Sequence, residues 1–366
     1  MSKDLKFNFL NSDEEERYQK HFTLNEIGYE GQLNLKNSSV LCIGAGGLGS
    51  SVLLYLAAAG IGKIGIVDND YVEKSNLQRQ IIHETNTIGS LKIDSAQERI
   101  KKFNPNSELL TFAERINPKN ALEIIQKFDI VCDCSDNFGT RYLINDACLI
   151  LNKPLVFGSV QGFEGQVSVF NLNKTSPNLR DLLPESPSKN AVPSCAEYGV
   201  VGVSTGLIGI IQVNEIIKII LKKGEVLDGK IMVFDLLHMN TKKLHLKSDQ
   251  VNKQIKNLSK FMDYYSDDEC STENKKINRI NAYDFISLFK IKPNEILLID
   301  VRENEEFSAS AIKGSISLPL SHLNQNPDLE FIQKESLIKE VFTICKTGKR
   351  SEKACLLYTS PSPRDP

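Results

Sequence analysis

The sequence has no excess of basic charge: 44 lysines and arginines stand against 46 aspartates and glutamates, a formal net charge of −2. That balance lacks the footprint of a nucleic-acid-binding surface, and no nucleic-acid partner is expected. The N-terminal residues MSKDLKFNFL do not form a signal peptide. No clean membrane span is present either. The one long apolar stretch, residues 200–221, is broken by Gln212, Asn214, Glu215 and Lys218, and three glycines punctuate its first half. It reads as a buried strand or turn running into a core helix. The eight cysteines, at positions 42, 132, 134, 148, 195, 270, 345 and 355, are scattered. A reduced intracellular protein is expected, in the cytoplasm or a plastid stroma, with individual thiols available for chemistry.

The remaining composition describes a globular protein. Of the 366 residues, 41% are hydrophobic and 25% charged, which a disordered chain would not show. The length predicts two domains, with a core that needs no covalent staples. After a polar N-terminal segment with helical character, residues 38–43 (SSVLCI) read as a buried strand ending in glycines. Residues 47–59 read as a helix stopped at Gly60, and residues 63–68 (KIGIVD) as a second buried strand. Strand, helix and strand in such a short span make a βαβ unit with a parallel sheet. The alternation continues through strands at 108–112, 129–134 and 154–157 and helices at 90–102, 120–127 and 137–151. Residues 165–170 (GQVSVF) alternate with period two, as an antiparallel strand does, and residues 231–235 close the domain. Residues 172–194, rich in Pro, Ser and Asn, are expected to be a long functional loop.

Gly44, Gly46 and Gly49 satisfy G-x-G-x-x-G between a strand and a helix, the setting this pattern requires. Such glycines let the backbone approach a phosphate, and the helix N-terminus offers N–H groups to the anion. Asp68 ends the next strand, where a carboxylate accepts ribose hydroxyls. Alone, this points to an NAD(P)- or FAD-dependent oxidoreductase. The following residues shift the balance. Asp70, Ser75, Asn76 and then the cations Arg79 and Lys92 place more positive charge after the loop than a pyrophosphate needs. A triphosphate with Mg²⁺ uses that charge. Asp136 and Asn137, at a strand C-terminus, fall in the expected ligand crevice, with Asp136 suited to hold the metal.

At this point the sequence closely resembles the ThiF/MoeB/HesA family, relatives of the ubiquitin-activating enzymes. The residues that carry the resemblance are RYQKHFTLNEIG (17–28), VLCIGAGGLGS (40–50), IVDNDYVEKSNLQRQ (66–80), Gly89 to Lys92, CDCSDNFGTRYLIND (132–146), FEGQVSVF (163–170) and CAEYGVVG (195–202). The resemblance implies ATP-dependent adenylylation of the C-terminal glycine of a ubiquitin-like sulfur carrier resembling MoaD or ThiS. It also implies that Gly47, Asp68, Ser75, Asn76, Arg79, Lys92, Asp136 and Asn137 contact ATP or its metal. Cys195 matches the cysteine proposed to form an adduct with the carrier. A homodimer is implied too, although Lys20 stands where relatives often have an arginine that reaches the neighbouring subunit's ATP. Relatives often bind structural zinc through two C-x-x-C pairs. Here Asn178 and Asp181 occupy the first pair's positions, and residues 244–262 contain no cysteine, so no zinc is expected.

Residues 248–276 are polar, mixed in charge and read as an interdomain linker. Beyond it, Cys345 and Arg350 form C-x-x-x-x-R between a buried strand and a helix. Backbone N–H groups wrapped around the sulfur would favour an anionic persulfide, and Arg350 would add a fixed positive charge. With ILLIDVRENEEF (296–307) and IKGSISLPL (312–320), this segment resembles a rhodanese domain, with Ala311 replacing a common histidine. The domain is expected to be incomplete and unstable. The string from Cys355 to Asp365 resembles a translated sequencing adapter. Residues 355–366 are therefore expected to be an artefact, with the natural sequence stopping near Ala354.

The expected organisation is an α/β protein. A Rossmann-like mixed sheet with flanking helices spans residues 10–247, and a smaller α/β rhodanese domain spans residues 277–354. The expected activity joins adenylylation to sulfur transfer onto the carrier, in molybdopterin or thiamine biosynthesis or related thiolation, with Cys345 loaded by a cysteine desulfurase. Two other readings remain at this stage: the oxidoreductase, and a non-catalytic scaffold for a ubiquitin-like partner.

Overall fold

The computed structural model describes residues 9–184, 199–261, 265, 280–293, 295–325, 340–345, 350, 351, 354 and 355. The chain divides into two units, Met1–Cys270 and Ser271–Pro366. The first unit begins with α1 (Ser12–Arg17), α2 (Gln19–Phe22) and α3 (Gly28–Lys36). An alternating series follows: β1 (Ser39–Ile43), α4 (Gly47–Ala59), β2 (Lys63–Val67), α5 (Lys92–Phe103), β3 (Glu108–Phe112), α6 (Ala121–Ile125), β4 (Ile130–Asp133) and α7 (Phe138–Leu151). Then come β5 (Leu155–Gln161), β6 (Glu164–Phe170), α8 (Leu179–Leu182), α9 (Gly202–Leu221), β7 (Lys230–Asp235) and β8 (Asn240–His245).

These strands form one sheet in the order β3-β2-β1-β4-β5-β6-β7-β8. The first five are parallel and the last three pair antiparallel. The expected mixed Rossmann-like sheet is therefore present. It runs one strand further than the sequence indicated, because β8 pairs with β7 along its whole length. The parallel strands β1, β2, β4 and β5 are buried on both faces, which explains why they read as unbroken apolar runs. Side chains alternate across the sheet. Val40 and Cys42 of β1 face a core with Leu48, Val52 and Leu56 of α4, Ile93 and Ile100 of α5, and Ile208, Val213 and Ile216 of α9. Leu41 and Ile43 face the opposite core, with Ile124 and Ile125 of α6 and Tyr142 and Ile144 of α7.

By length and composition α9 could cross a membrane. Here it packs on α4, β5 and β6, burying Ile208, Gln212, Val213, Glu215 and Ile216. Its polar residues are used internally: Gln212 Nε2 donates to the Asp133 carbonyl at 2.8 Å, and Glu215 accepts the Leu227 N–H at 2.9 Å. Part of the segment that composition marks as linker also belongs to this core. Leu258 and Tyr265 are buried among the α6–α7 side chains. The Tyr265 hydroxyl donates to Asp146 Oδ2 at 2.6 Å, and burial with the Asp146 charge pushes its pKa up. The same carboxylate accepts Arg180 Nε at 3.0 Å and Nη2 at 2.7 Å.

The second unit contains α10 (Ala282–Ile291), β9 (Ile296–Asp300), α11 (Asn304–Ala309), β10 (Ile316–Ser317), α12 (Leu320–Gln325) and β11 (Glu340–Ile344). Its three described strands are parallel, in the order β10-β9-β11, with β9 fully buried at the centre.

Asp146 is fully buried and Arg180 nearly so, at 0% and 5% side-chain exposure. Arg180→Met should therefore destabilise the first unit by about 3–5 kcal/mol, because it strands a buried charge. Guanidinium unfolding of the full chain measures this; a loss below about 1 kcal/mol would mean that the Tyr265 hydroxyl and the Asn145 amide, which donates to Asp146 Oδ1 at 3.0 Å, suffice to hold the carboxylate.

Candidate active site

The strand order reverses direction between β1 and β4, and ligands of open α/β sheets bind outside the strand C-termini at that point. The predicted nucleotide residues gather there. Gly44, Gly46, Gly47 and Gly49 form the β1–α4 turn. Gly44 has φ +101°, and a Cβ placed on it would lie 2.7 Å from the Cys134 carbonyl oxygen. A Cβ on Gly49 would lie 2.0 Å from the Gly44 carbonyl oxygen, so no side chain fits. Gly46 occupies the N-cap of α4 with no side-chain cap, leaving the first N–H groups to a ligand.

Asp68 follows β2 and accepts two backbone N–H groups, from Ala45 and Asp70, both at 2.8 Å. Burial raises its pKa, with the nearby Lys92 charge acting in the opposite direction. Lys92 opens α5. Its Nζ is buried and donates to Asp70 Oδ2 at 2.8 Å. A phosphate reaching Lys92 must therefore share it with Asp70. Asn76 is buried and accepts the Glu73 N–H at 3.0 Å, whereas Ser75 is exposed. Arg79 is half-buried, with Nη1 on the Ser75 carbonyl at 3.1 Å.

Across the crevice, Asp136 is exposed at the end of β4, and Asn137 caps α7 by accepting the Thr140 N–H at 2.8 Å. Asp133 shapes this loop: its Oδ1 accepts the Ser135 N–H and hydroxyl at 2.9 and 2.6 Å. Beneath the loops lie three buried thiols. Cys42 and Cys134 sulfurs are 3.6 Å apart, and those of Cys132 and Cys134 are 3.8 Å apart. Their pKa values are all raised, so they are protonated and serve as core. Cys195 lies outside the described residues.

Sequence reasoning did not single out His83 or Gln80, both buried against the glycine loop. His83 Nε2 is 3.0 Å from the Ala45 carbonyl oxygen, and the Gln80 amide lies next to Gly46. Neither has a spacing signal of its own; only the adjacent NLQRQ string marks the segment.

A family model described as the ThiF family matches residues 18–255. The chain belongs to the ThiF family. A second model, the rhodanese-like domain, matches residues 287–360. The chain is 38% identical to "Adenylyltransferase and sulfurtransferase MOCS3" of Drosophila virilis, covering 94% of this chain and 78% of that protein. It is also 38% identical to "Probable adenylyltransferase/sulfurtransferase MoeZ" of Mycobacterium tuberculosis, covering 94% and 88%. Among solved structures, PaaA shares the fold with a TM-score of 0.58 at 22% identity, covering 68% of this chain and 78% of that one. E. coli MccB with ATP gives 0.57 at 21%, covering 67% and 75%. This ThiF–rhodanese chain is thus an adenylyltransferase with a sulfurtransferase domain, and the oxidoreductase reading falls.

The zinc-site positions can be tested directly. Asp181 Oδ2 accepts the Asn178 N–H at 2.8 Å, and its Oδ1 accepts the Asp249 N–H at 2.9 Å and Asn252 Nδ2 at 2.8 Å. Asn178 Nδ2 in turn donates to the Asn252 carbonyl at 3.4 Å. Both carboxylate oxygens are engaged, and the donors are amides and a carboxylate rather than thiolates, so this set does not fit zinc. The N-x-x-D and D-x-x-N segments form a hydrogen-bonded clasp instead.

In the rhodanese-like unit, Cys345 directly follows β11, which flanks the central strand β9. Its Sγ receives the Ser351 N–H at 3.4 Å and lies 3.4 Å from the Ser351 hydroxyl. Residues 346–349 lie outside the described residues. The Arg350 guanidinium makes a two-pronged pair with Glu306, at 2.6 and 2.9 Å, which fixes the position of its charge.

Two outcomes follow. Asp181→Ala should cost about 1–3 kcal/mol, since one carboxylate holds three donors, while a zinc chelator leaves the wild-type melting temperature unchanged; both are read by thermal melts. Arg350 depresses the Glu306 pKa to about 2. The pair's contribution is therefore complete above the ordinary carboxylate range and is lost as pH falls through about 2. Glu306→Gln should flatten that acid limb in a pH titration of stability.

Proposed function

We propose that the first unit binds ATP with Mg²⁺ and adenylylates the C-terminal glycine of a ubiquitin-like sulfur carrier, and that the second unit delivers sulfur from a persulfide on Cys345. The observation that supports this reading is an uncapped helix N-terminus at a glycine turn against which the loops carrying Arg79 and Asp136 pack, with Asp68 bonded to Ala45 and Lys92 to Asp70. An oxidoreductase needs no such pair of cations, and the relatives' names describe this pair of activities.

Gly46, Gly47 and the α4 N-terminus would receive phosphate oxygens, with Gly44 and Gly49 allowing the close approach. Asp68 would accept the ribose hydroxyls; its half-buried carboxylate, already fixed by two N–H groups, is oriented before ligand arrives. Ser75 and Asn76 would bound the nucleotide, and Arg79 and Lys92 would stabilise charge on the phosphates. Asp136, an exposed carboxylate beside Asn137, suits Mg²⁺ as a hard oxygen ligand. Mg²⁺ there would neutralise phosphate charge. The carrier's glycine carboxylate then attacks the α-phosphorus, the bond to the bridging oxygen breaks, and pyrophosphate leaves.

The outer persulfide sulfur on Cys345 attacks the acyl carbon and AMP departs, leaving an acyl disulfide. An external thiol cleaves the S–S bond, releasing the carrier thiocarboxylate and leaving a mixed disulfide on Cys345, while Cys195 remains the candidate for an adduct with the carrier. A cysteine desulfurase is the proposed sulfur donor. A homodimer would cover the exposed Val203, Leu207 and Ile210 on α9. Lys20, exposed on α2, is the candidate to reach across it.

ATP–pyrophosphate exchange should depend on a carrier ending in Gly-Gly. Asp136→Ala should lower exchange about 100-fold or more, whereas Cys345→Ala should leave exchange intact and abolish thiocarboxylate formation, seen by mass spectrometry. Carrier binding without exchange would instead make the protein a scaffold.

A further inference from the structure

His83 is a buried side chain, 5% exposed, that none of the phosphate-facing roles above uses. It sits between two elements that do face the phosphates. On one side its Nε2 is 3.0 Å from the carbonyl oxygen of Ala45, inside the glycine loop. On the other its Nδ1 is 3.0 Å from Ser95 Oγ, on the first turn of α5, the helix that begins at Lys92. The Ala45 peptide is thus held at its N–H by Asp68 and at its carbonyl by His83.

The hydrogen bookkeeping is restrictive. A carbonyl only accepts, so Nε2 must carry the ring proton. Burial holds the His83 pKa below the usual histidine value, and the Lys92 charge adds to this, so the ring is neutral. Nδ1 is then bare and accepts the single Ser95 hydroxyl proton, so at the 3.0 Å contact between Ser95 Oγ and Thr87 Oγ1 the Thr87 hydroxyl donates. Both ring nitrogens are committed, and neither can turn towards substrate.

We propose that His83 is a positioning residue for nucleotide binding, clamping the Ala45 carbonyl of the glycine loop to the α5 helix that presents Lys92. This rests on the adenylylation reading and adds to it: the ring sets the spacing between the α4 N-terminus and the Lys92 ammonium. Loss of the clamp leaves a buried carbonyl without its donor, which frees the Ala45 peptide to rotate and withdraws the loop from the phosphates.

The test is carrier-dependent ATP–pyrophosphate exchange with the full chain. His83→Phe keeps a ring of similar size without donors and should raise KM for ATP roughly tenfold, with KM for the carrier unchanged. His83→Gln places an amide N–H near the Nε2 position and should recover most of the ATP affinity. Ser95→Ala cuts only the far end of the clamp and should raise KM for ATP by a smaller factor. If His83→Phe fails to fold, Ser95→Ala carries the test, and an unchanged KM for ATP there overturns the proposal. So does a wild-type KM for ATP in His83→Phe, a His83→Gln variant as weak as His83→Phe, or an equal rise in KM for ATP and carrier. Absence of exchange in the wild-type protein would overturn the adenylylation reading itself.

Discussion

The contact on which the rest of the first unit depends is the approach of Gly49 to the Gly44 carbonyl, where a Cβ would sit 2.0 Å from the oxygen. It turns the chain from β1 into α4 with no side chain in between. Because of that turn, α4 begins at the C-terminal edge of the sheet with its first N–H groups open, and its apolar side chains pack back over β1. Gly44 adds the complementary constraint. Its φ of +101° and its proximity to the Cys134 carbonyl bring the β4 loop, with Asp136 and Asn137, against the glycine loop. Two backbone approaches thus fix the two walls of the crevice.

Within each unit, charge is arranged before any ligand arrives. Lys92 is paired with Asp70, Asp68 accepts two backbone N–H groups, and Arg350 of the second unit is paired with Glu306. Preorganised groups of this kind stabilise developing charge without a reorganisation cost at the moment of reaction. The same economy marks the clasp between Asn178-x-x-Asp181 and Asp249-x-x-Asn252, where one carboxylate joins two segments far apart in sequence. Direct hydrogen bonds there do what a metal centre would otherwise do.

The regular part of the fold was legible because its signals are local. Unbroken apolar runs marked the doubly covered parallel strands, and the glycine spacing marked the β1–α4 turn. What escaped was set by partners distant in sequence. β8 (NTKKLH) is exposed along its length and has no apolar pattern, so only its pairing with β7 makes it a strand. Residues 248–261 and Tyr265 look like linker in composition, yet Leu258 and Tyr265 are buried, the latter because Asp146 receives its hydroxyl. The partner that holds Arg350, Glu306, lies 44 residues away and has no local signal in the sequence.

The sequence by itself determined the two units, the nucleotide crevice and the residue types that line it, because glycine spacing, strand periodicity and the cysteine–arginine motif act within a few residues. Tertiary structure alone decided how those residues are held: which charges are already paired, that Asp181 ties its clasp, and that His83 joins the glycine loop to α5. Hydrogen bonds between distant segments depend on side-chain direction and burial, and one-dimensional spacing carries neither.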